Sequence, residues 1–272
     1  MFKKTPSMYI KLVVAVSVFL LCNTLSSQDC IFKNAHAHND YKQKHPLSDA
    51  LLNKFASIEV DIFLIKNELI VSHTHPVFKK EKTLENLYLK PLLDSCNKNN
   101  GFVYKKCNES IILLIDFKTD GQETYKILKK YLEKYKSILS KFENGKVIVN
   151  AVTIVITGNK PYDALQKETT RYAFADQSLM SLDKSLDSSF CFMASTKYSN
   201  VLTWKGKGEI PTTEKEKLIT LVNQAHQQGK KVRLWASPEN IIVWKTLLDC
   251  GVDLINTDEL KKLNSFLMKF KK

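Results

Sequence analysis

Short apolar runs with strand character alternate with amphipathic helical stretches along most of this chain, and that alternation narrows the folds open to it. Phe32–His38 reads as a strand and Pro46–Phe55 as a helix. Ser57–Phe63 is a second strand, with Leu69–His73 a short extension of it. Leu84–Cys96 reads as helical and Ile111–Phe117 as a strand. From Glu123 to Phe142, apolar residues at Ile127, Leu128, Tyr131, Leu132, Tyr135, Ile138, Leu139 and Phe142 follow the 3.6-residue period, closed by Asn144-Gly145. Further strands are expected at Val152–Ile156, Arg171–Ala175, Phe190–Ala194, Lys231–Trp235 and Val252–Asn256. Helices are expected at Tyr162–Lys167, after a Thr213/Glu216 capping box through His226, from Ser237-Pro238, and at Leu260–Phe270. Gly229 and Gly251 end two of these helices. Eight strand candidates, most followed by a helix, predict a parallel sheet closed into a single (β/α)8 TIM barrel. The alternative is a doubly wound open sheet, which wants a Gly-rich first turn that this chain lacks.

The N-terminus stands apart from this pattern. Lys3, Lys4 and Lys11 precede an apolar run from Leu12 to Cys22, followed by the small residues Thr24, Ser26 and Ser27. That order predicts a secretory signal peptide over residues 1–28 and a barrel domain over 29–272. A retained membrane anchor and a lipid-carrying Cys22 are the alternatives, and Leu21 is bulky for the second. Export leaves Cys30, Cys96, Cys107, Cys191 and Cys250, none in a Cys-x-x-Cys pair, which argues against zinc. Cys96 and Cys107 bracket the polar stretch Asn97–Lys106, and a Cys96–Cys107 disulfide is the expected staple. The net charge of +13 falls to near +10 without the leader. Its lysines are scattered over helix faces such as Lys129, Lys130, Lys134 and Lys141, with no nucleic-acid-reading motif. The charge reads as a solvated basic surface and nucleic acid is not an expected partner, while attraction to an anionic membrane surface stays an open alternative.

Polar residues of one chemical kind collect at the ends of the early strands. Glu59 and Asp61 are two apart, as are Asp116 and Lys118, so each pair shares one face of its strand. In a barrel, catalytic groups lie at the C-terminal strand ends, which places both pairs on one rim with His36 and His38. Three carboxylates with water suit a hard cation, Mg²⁺ or Ca²⁺. An exposed strand end would also explain Glu59 and Asp61, but Asp116 follows Ile111–Ile115 into apolar surroundings, where a carboxylate needs a cation. Lys118 can pair with Asp116 or hold a phosphate oxygen. His38 and His73 are the acid/base candidates, because imidazole titrates near neutral pH. His36 and His75 each share a face with one of them, and the pattern does not choose; His45 and His226 read as surface histidines.

Taken in order, Ala37-His38-Asn39-Asp40, Glu59-Val60-Asp61, Val71-Ser72-His73 and Asp116-Phe117-Lys118 resemble the glycerophosphodiester phosphodiesterase and phosphatidylinositol phospholipase C-like superfamily. Asn34–Tyr41, Thr83–Tyr88, Thr157–Pro161 and the last strand Gly251–Asp258 resemble a secreted branch of phosphodiesterase-like proteins within it. The resemblance implies a TIM barrel and a Mg²⁺- or Ca²⁺-dependent attack on a phosphodiester. It implies His38 and His73 as catalytic histidines, Glu59, Asp61 and Asp116 as metal ligands, and Lys118 as a phosphate contact. It also implies a substrate pocket at Asn39 and Trp235, with Trp235 at its mouth. Two departures stand out. Arg-Gly usually follows the first histidine where this chain has Asn39-Asp40, and the third metal ligand is usually Glu where this chain has Asp116. Asp-x-Lys at that point is similar to the sphingomyelinases D, which release a cyclic phosphate.

The expectation is thus a monomeric, secreted or periplasmic enzyme that cleaves a glycerophosphodiester or phospholipid by two-histidine acid/base catalysis. A non-catalytic module that binds anionic lipid or glycan is the competing reading. Metal-independent phospholipase C chemistry is disfavoured by the three carboxylates.

Overall fold

In the computed structural model, residues 30–76 and 79–270 are described, and the expected signal peptide lies outside them. Eight strands form the framework: β1 (Phe32–Ala37), β2 (Phe55–Ile65), β3 (Ile111–Phe117), β4 (Val152–Gly158), β5 (Ala173–Ser178), β6 (Cys191–Lys197), β7 (Lys231–Trp235) and β8 (Leu254–Thr257). Each runs parallel to its neighbours, and β1 pairs with both β2 and β8, so the sheet closes on itself. Helices at Ser48–Leu52, Lys90–Lys98, Gly121–Tyr135, Tyr162–Gln166, Thr212–Gln227, Ile241–Asp249 and Leu260–Phe270 surround it. The fold is a single (β/α)8 barrel. Among the described residues no helix is long and apolar enough to cross a membrane.

The barrel interior has two levels, and strand periodicity explains both. Ile112, Leu114, Val155, Phe174, Met193 and Leu254 pack together as an apolar floor. Two residues further along five of these strands, on the same inward face, stand Asp116, Thr157, Asp176, Ser195 and Asn256. The inward set therefore changes from apolar to polar toward the C-terminal ends. The outward set, including Leu113, Ile115, Ile154 and Ile156, joins the larger core beneath the helices.

Several elements differ from the sequence reading, each for a local reason. Glu68–Val71 does not extend β2 but pairs with it antiparallel, because Lys66 and Asn67 adopt φ of 50° and 62° and make the tight hairpin turn. The long helix stops at Tyr135, and Phe142 lies on strand Lys141–Glu143, which turns at Asn144-Gly145 into Lys146–Ile148. Asn-Gly here is a hairpin signal rather than a helix stop. The Thr213/Glu216 box is not made: the helix begins at Thr212, and Glu214 instead accepts the Thr203 and Trp204 N–H groups. Asn240, not Ser237, caps the next helix by accepting the Val243 N–H at 3.0 Å. The segment from Leu84 to Cys96 opens with a wide π-type turn over Glu85–Leu89, just ahead of Pro91, which has no N–H to donate.

The expected Cys96–Cys107 disulfide is also absent. Cys96 is a free thiol on the inward side of helix Lys90–Lys98, where burial pushes its pKa up to about 11. Cys107 is disulfide-bonded, as is Cys30.

Asp40, which opens the turn after β1, is fully buried. Its Oδ2 accepts the Leu47 N–H at 2.5 Å and the Tyr88 hydroxyl at 2.9 Å, while Oδ1 has no partner. Burial pushes this carboxyl up to about 6 from an ordinary 3.8. A raised carboxyl pKa means the folded state holds the proton more tightly, so this group's contribution to stability declines as pH rises from about 4 to 6. Asp40→Asn keeps the acceptor and removes the charge. Its stability relative to wild type should rise by roughly 2–3 kcal/mol between pH 4 and pH 7 in urea unfolding. A pH-independent difference would contradict this account of Asp40.

Candidate active site

Parallel pairing of β2 with β3 sets Asp61 directly opposite Asp116, and Glu59 lies two residues below Asp61 on the same inward face. One carboxylate oxygen from each of the three falls within 4.8 Å of the others. The Asp61 Oδ1 is buried and has no hydrogen-bond partner. On the neighbouring strand Gly158 has φ +71°, and a Cβ there would stand 2.0 Å from Asp116 Oδ1, so only glycine leaves room for that carboxylate. Buried hard oxygens with an orphaned member fit a hard divalent cation.

Beneath this cluster the Glu59 charge is compensated within the barrel. Arg233 Nη1 donates to Glu59 Oε2 at 2.7 Å, and His36 Nε2 lies 3.1 Å from the same oxygen. The other His36 nitrogen meets Ser57 Oγ at 2.7 Å. Burial works to raise the Glu59 carboxyl, but Arg233 and His36 hold it well below the usual carboxylate range. His36 is fully buried, and burial together with the Arg233 charge pushes its pKa down to about 4. At neutral pH His36 is therefore an uncharged ring sealed below the cluster, whereas His38 lines the cavity above it.

His38 Nδ1 is 2.8 Å from Asp258 Oδ1. Burial opposes charging of this ring, but the Asp258 hydrogen bond and the Glu59 and Asp258 charges outweigh it and raise the pKa. Asn39, at φ 47°, presents its Nδ2 3.0 Å from His38 Nε2 and accepts the Tyr41 hydroxyl at 2.7 Å. Tyr41 also stands 2.7 Å from Asp61 Oδ2 and 3.2 Å from His73 Nδ1. Burial and the Asp61 carboxylate raise its pKa far above the usual range, so it stays a hydrogen-bond donor. His73 Nδ1 lies 3.1 Å from Asp61 Oδ2, with more than half of its side chain exposed. Lys118 Nζ pairs with Asp116 at 2.6 Å and Asp61 at 3.2 Å. Burial raises the Asp116 carboxyl, against the pull of Lys118. His75, by contrast, packs beside Phe63 at 5.8 Å between ring centroids and does not line the cavity.

The opposite wall belongs to β4, β5 and β6. Asp176 Oδ2 accepts the Thr157 hydroxyl at 2.9 Å and the Ser195 hydroxyl, while its buried Oδ1 is unpartnered. Burial raises this carboxyl. Trp235 ends β7 at the cavity, 39% exposed, with the Lys197 ammonium 5.8 Å from its ring centre. The whole cavity measures about 430 Å³. Every residue singled out from sequence as catalytic, metal-binding, phosphate-binding or pocket-forming lines it. Arg233, Asp176, Ser195, Thr157, Asp258 and Tyr41 were not singled out. For four of them the signal was partial: Thr157, Asp176, Ser195 and Arg233 are polar residues within strands, but Thr153, Gln177, Thr196 and Lys231 share those strands.

The family model for the AIM6-like phosphodiesterase domain matches residues 24–176. Altered inheritance of mitochondria protein 6 of Eremothecium gossypii is 28% identical over 87% of this chain and 70% of its own. The protein of the same name in Kluyveromyces lactis is 30% identical over 89% of this chain and 74% of its own. The Arthroderma benhamiae homolog is 29% identical over 85% and 82%. The family match covers the three clustered carboxylates, His38, His73, Lys118 and Asp176; Arg233, Trp235 and Asp258 lie beyond it.

Arg233→Met keeps the bulk of the side chain but leaves the Glu59 carboxylate buried without its counter-charge. Denaturant unfolding at pH 7 should show a loss of about 3–5 kcal/mol. The deficit should shrink on acidification, because the Glu59 carboxyl, no longer held low, takes up a proton. A loss below about 1 kcal/mol would mean that Arg233 does not balance Glu59.

Proposed function

This chain belongs to the AIM6-like phosphodiesterase family, and from that premise we propose that it is a metal-dependent phosphodiesterase acting on a glycerophosphodiester or phospholipid. The observation that carries the proposal is the buried oxygen cluster of Glu59, Asp61 and Asp116, flanked by a lysine and two histidines in one cavity. Those three carboxylates would hold Mg²⁺ or Ca²⁺. When bound, such a cation supplies Lewis acidity toward a non-bridging phosphate oxygen. Lys118, beside the cluster, offers its ammonium to the same phosphate as negative charge builds on it.

His38 and His73 divide the proton transfers. Asp258 holds His38 by Nδ1, which fixes the tautomer with Nε2 as the basic nitrogen and favours the ring once protonated. His38 takes the proton from the nucleophile, either water or a neighbouring substrate hydroxyl. The nucleophile's oxygen bonds to phosphorus as the bond from phosphorus to the leaving oxygen breaks. His73 supplies the proton that the leaving oxygen needs. Asn39 stands against the His38 ring, and Trp235 closes one side of the mouth against the substrate's organic part. Hydroxyl-bearing groups of the substrate meet the Thr157, Asp176 and Ser195 wall.

The finer resemblance, to glycerophosphodiesterases and phosphatidylinositol phospholipases C, fits this arrangement. Asp116-Phe117-Lys118 favours a lipid diester and a cyclic product, as in sphingomyelinases D. The chain acts as a monomer in a secreted or periplasmic setting, for which the disulfide-bonded Cys30 and Cys107 give support. The second reading is a non-catalytic module for anionic lipid or glycan, favoured by Lys118 already bridging Asp61 and Asp116.

Hydrolysis of bis(p-nitrophenyl) phosphate separates the two readings. Turnover should vanish in EDTA and return with Mg²⁺ or Ca²⁺; on a glycerophosphodiester, whose alkoxide leaving group needs the proton that p-nitrophenolate does not, His73→Ala should lose about 10²–10⁴-fold in rate. Turnover that survives EDTA, or a His73→Ala enzyme near the wild-type rate on the glycerophosphodiester, would defeat the mechanism; phosphorus NMR of the products from a lipid panel reads out cyclic against open phosphate.

Asp258→Asn supplies a separate check on His38. Loss of the carboxylate removes the Asp258 share of what raises the His38 pKa, leaving that of Glu59, so the acid limb of the kcat/KM profile should move to lower pH. An unmoved limb would take Asp258 out of the account.

A further inference from the structure

Helices Ile241–Asp249 and Leu260–Phe270 lie against each other through Trp244 and Phe266, whose ring centres are 5.8 Å apart. Their inner faces are spent on the core: Val243, Trp244 and Leu247 from one, Leu260, Leu263, Phe266 and Leu267 from the other. Ile241, Ile242 and Phe270 remain outside it, at 54%, 56% and 40% exposure. Ile241 and Phe270 line an open groove with Phe266 at its base and Lys262 and Lys269 along its sides.

Lysines predominate around this strip: Lys262, whose ammonium also donates to the Glu239 carbonyl at 2.7 Å, and Lys269, with the exposed Glu259 carboxylate one turn before Lys262. The ammonium groups of Lys245 and Lys262 stand 5.9 and 5.4 Å from the ring centres of Phe270 and Trp244. Asp249 is paired with Lys245 at 2.5 Å. The Glu239 carboxylate is turned to the Asp258 and Glu259 N–H groups and the Thr257 hydroxyl. Lysines whose stems run along apolar surface, with ammonium groups at its edge, match the interface of an anionic bilayer: hydrocarbon below, phosphate and carboxylate above. The strip begins one short loop after Trp235, on the helix that leaves the cavity end of β7.

We infer that this two-helix flank, led by Ile241, Ile242 and Phe270 and edged by Lys262 and Lys269, is a docking surface for an anionic lipid bilayer. The overall basic charge draws the chain toward such a surface from any side; the apolar strip decides which side settles on it. The inference does not depend on hydrolysis.

The test places an environment-sensitive nitrobenzoxadiazole label on Ile242→Cys and, as a control, on Lys130→Cys, an exposed position on the helix that follows β3. Full-length protein is mixed with vesicles of phosphatidylcholine alone or with about one third phosphatidylserine. The label at position 242 should shift to the blue and brighten only with the anionic vesicles, while the label at 130 should not respond. Adding Lys262→Glu and Lys269→Glu should weaken the response at least about tenfold in vesicle concentration, because each lysine contributes near an anionic surface. Turnover of a soluble diester by that double variant should stay at the wild-type level, which separates failure of docking from failure of the phosphodiesterase reading. No shift at 242, an equal shift at 130, or indifference to the lysine reversals would overturn the inference. So would a shift that appears without vesicles as protein concentration rises, which would assign the groove to a second copy of the chain.

Discussion

The pairing of Arg233 with Glu59 is the interaction on which the rest of the site depends. A carboxylate at the centre of a barrel has lost its water, and only an opposite charge at hydrogen-bond distance keeps it ionised. Arg233 supplies that charge at 2.7 Å, and His36 braces the same oxygen from β1. The late strand β7 is thereby tied to the consecutive strands β1 and β2 across the interior above the apolar floor. With one Glu59 oxygen held from below, the cluster with Asp61 and Asp116 rests on a fixed base.

Charge balance then shapes what the cavity can bind. Glu59, Asp61, Asp116 and Asp176 face Lys118, Lys160 and Arg233 within it. With every carboxylate ionised, the acids exceed the bases by one. A divalent cation on the carboxylate cluster reverses that sign, and a phosphodiester carries the single negative charge that restores balance. The proposed chemistry and the electrostatics of the cavity's side chains thus point the same way. The unpartnered oxygens of Asp61 and Asp176 mark the two walls between which a substrate would lie.

The barrel was legible because its signal is repetitive: apolar strands alternating with amphipathic helices leave few closed arrangements. The cluster was legible because Glu59/Asp61 and Asp116/Lys118 place charge at strand ends with a two-residue spacing. Arg233, Asp176 and Ser195 escaped because other polar residues, such as Lys231, Gln177 and Thr196, share their strands. Their inward direction acquires meaning only once the sheet is closed and the facing residues are known. Local errors had local causes. Asn144-Gly145 follows a helical period yet closes a hairpin, and the helix expected behind a Thr213/Glu216 box already begins at Thr212, after Pro211. Cys96 sits at a plausible spacing from Cys107 but turns its thiol into the core. Spacing along a chain fixes which face a residue shares; it does not fix what lies across from that face.

The central claim is that Glu59, Asp61 and Asp116 form one divalent-cation site, and calorimetric titration of Mg²⁺ and Ca²⁺ into the protein tests it most directly. The account predicts a single binding event in the wild type that disappears in Asp61→Asn, whose side chain cannot present the same charged oxygen. Absence of binding by either ion, or binding undiminished by Asp61→Asn, would contradict it.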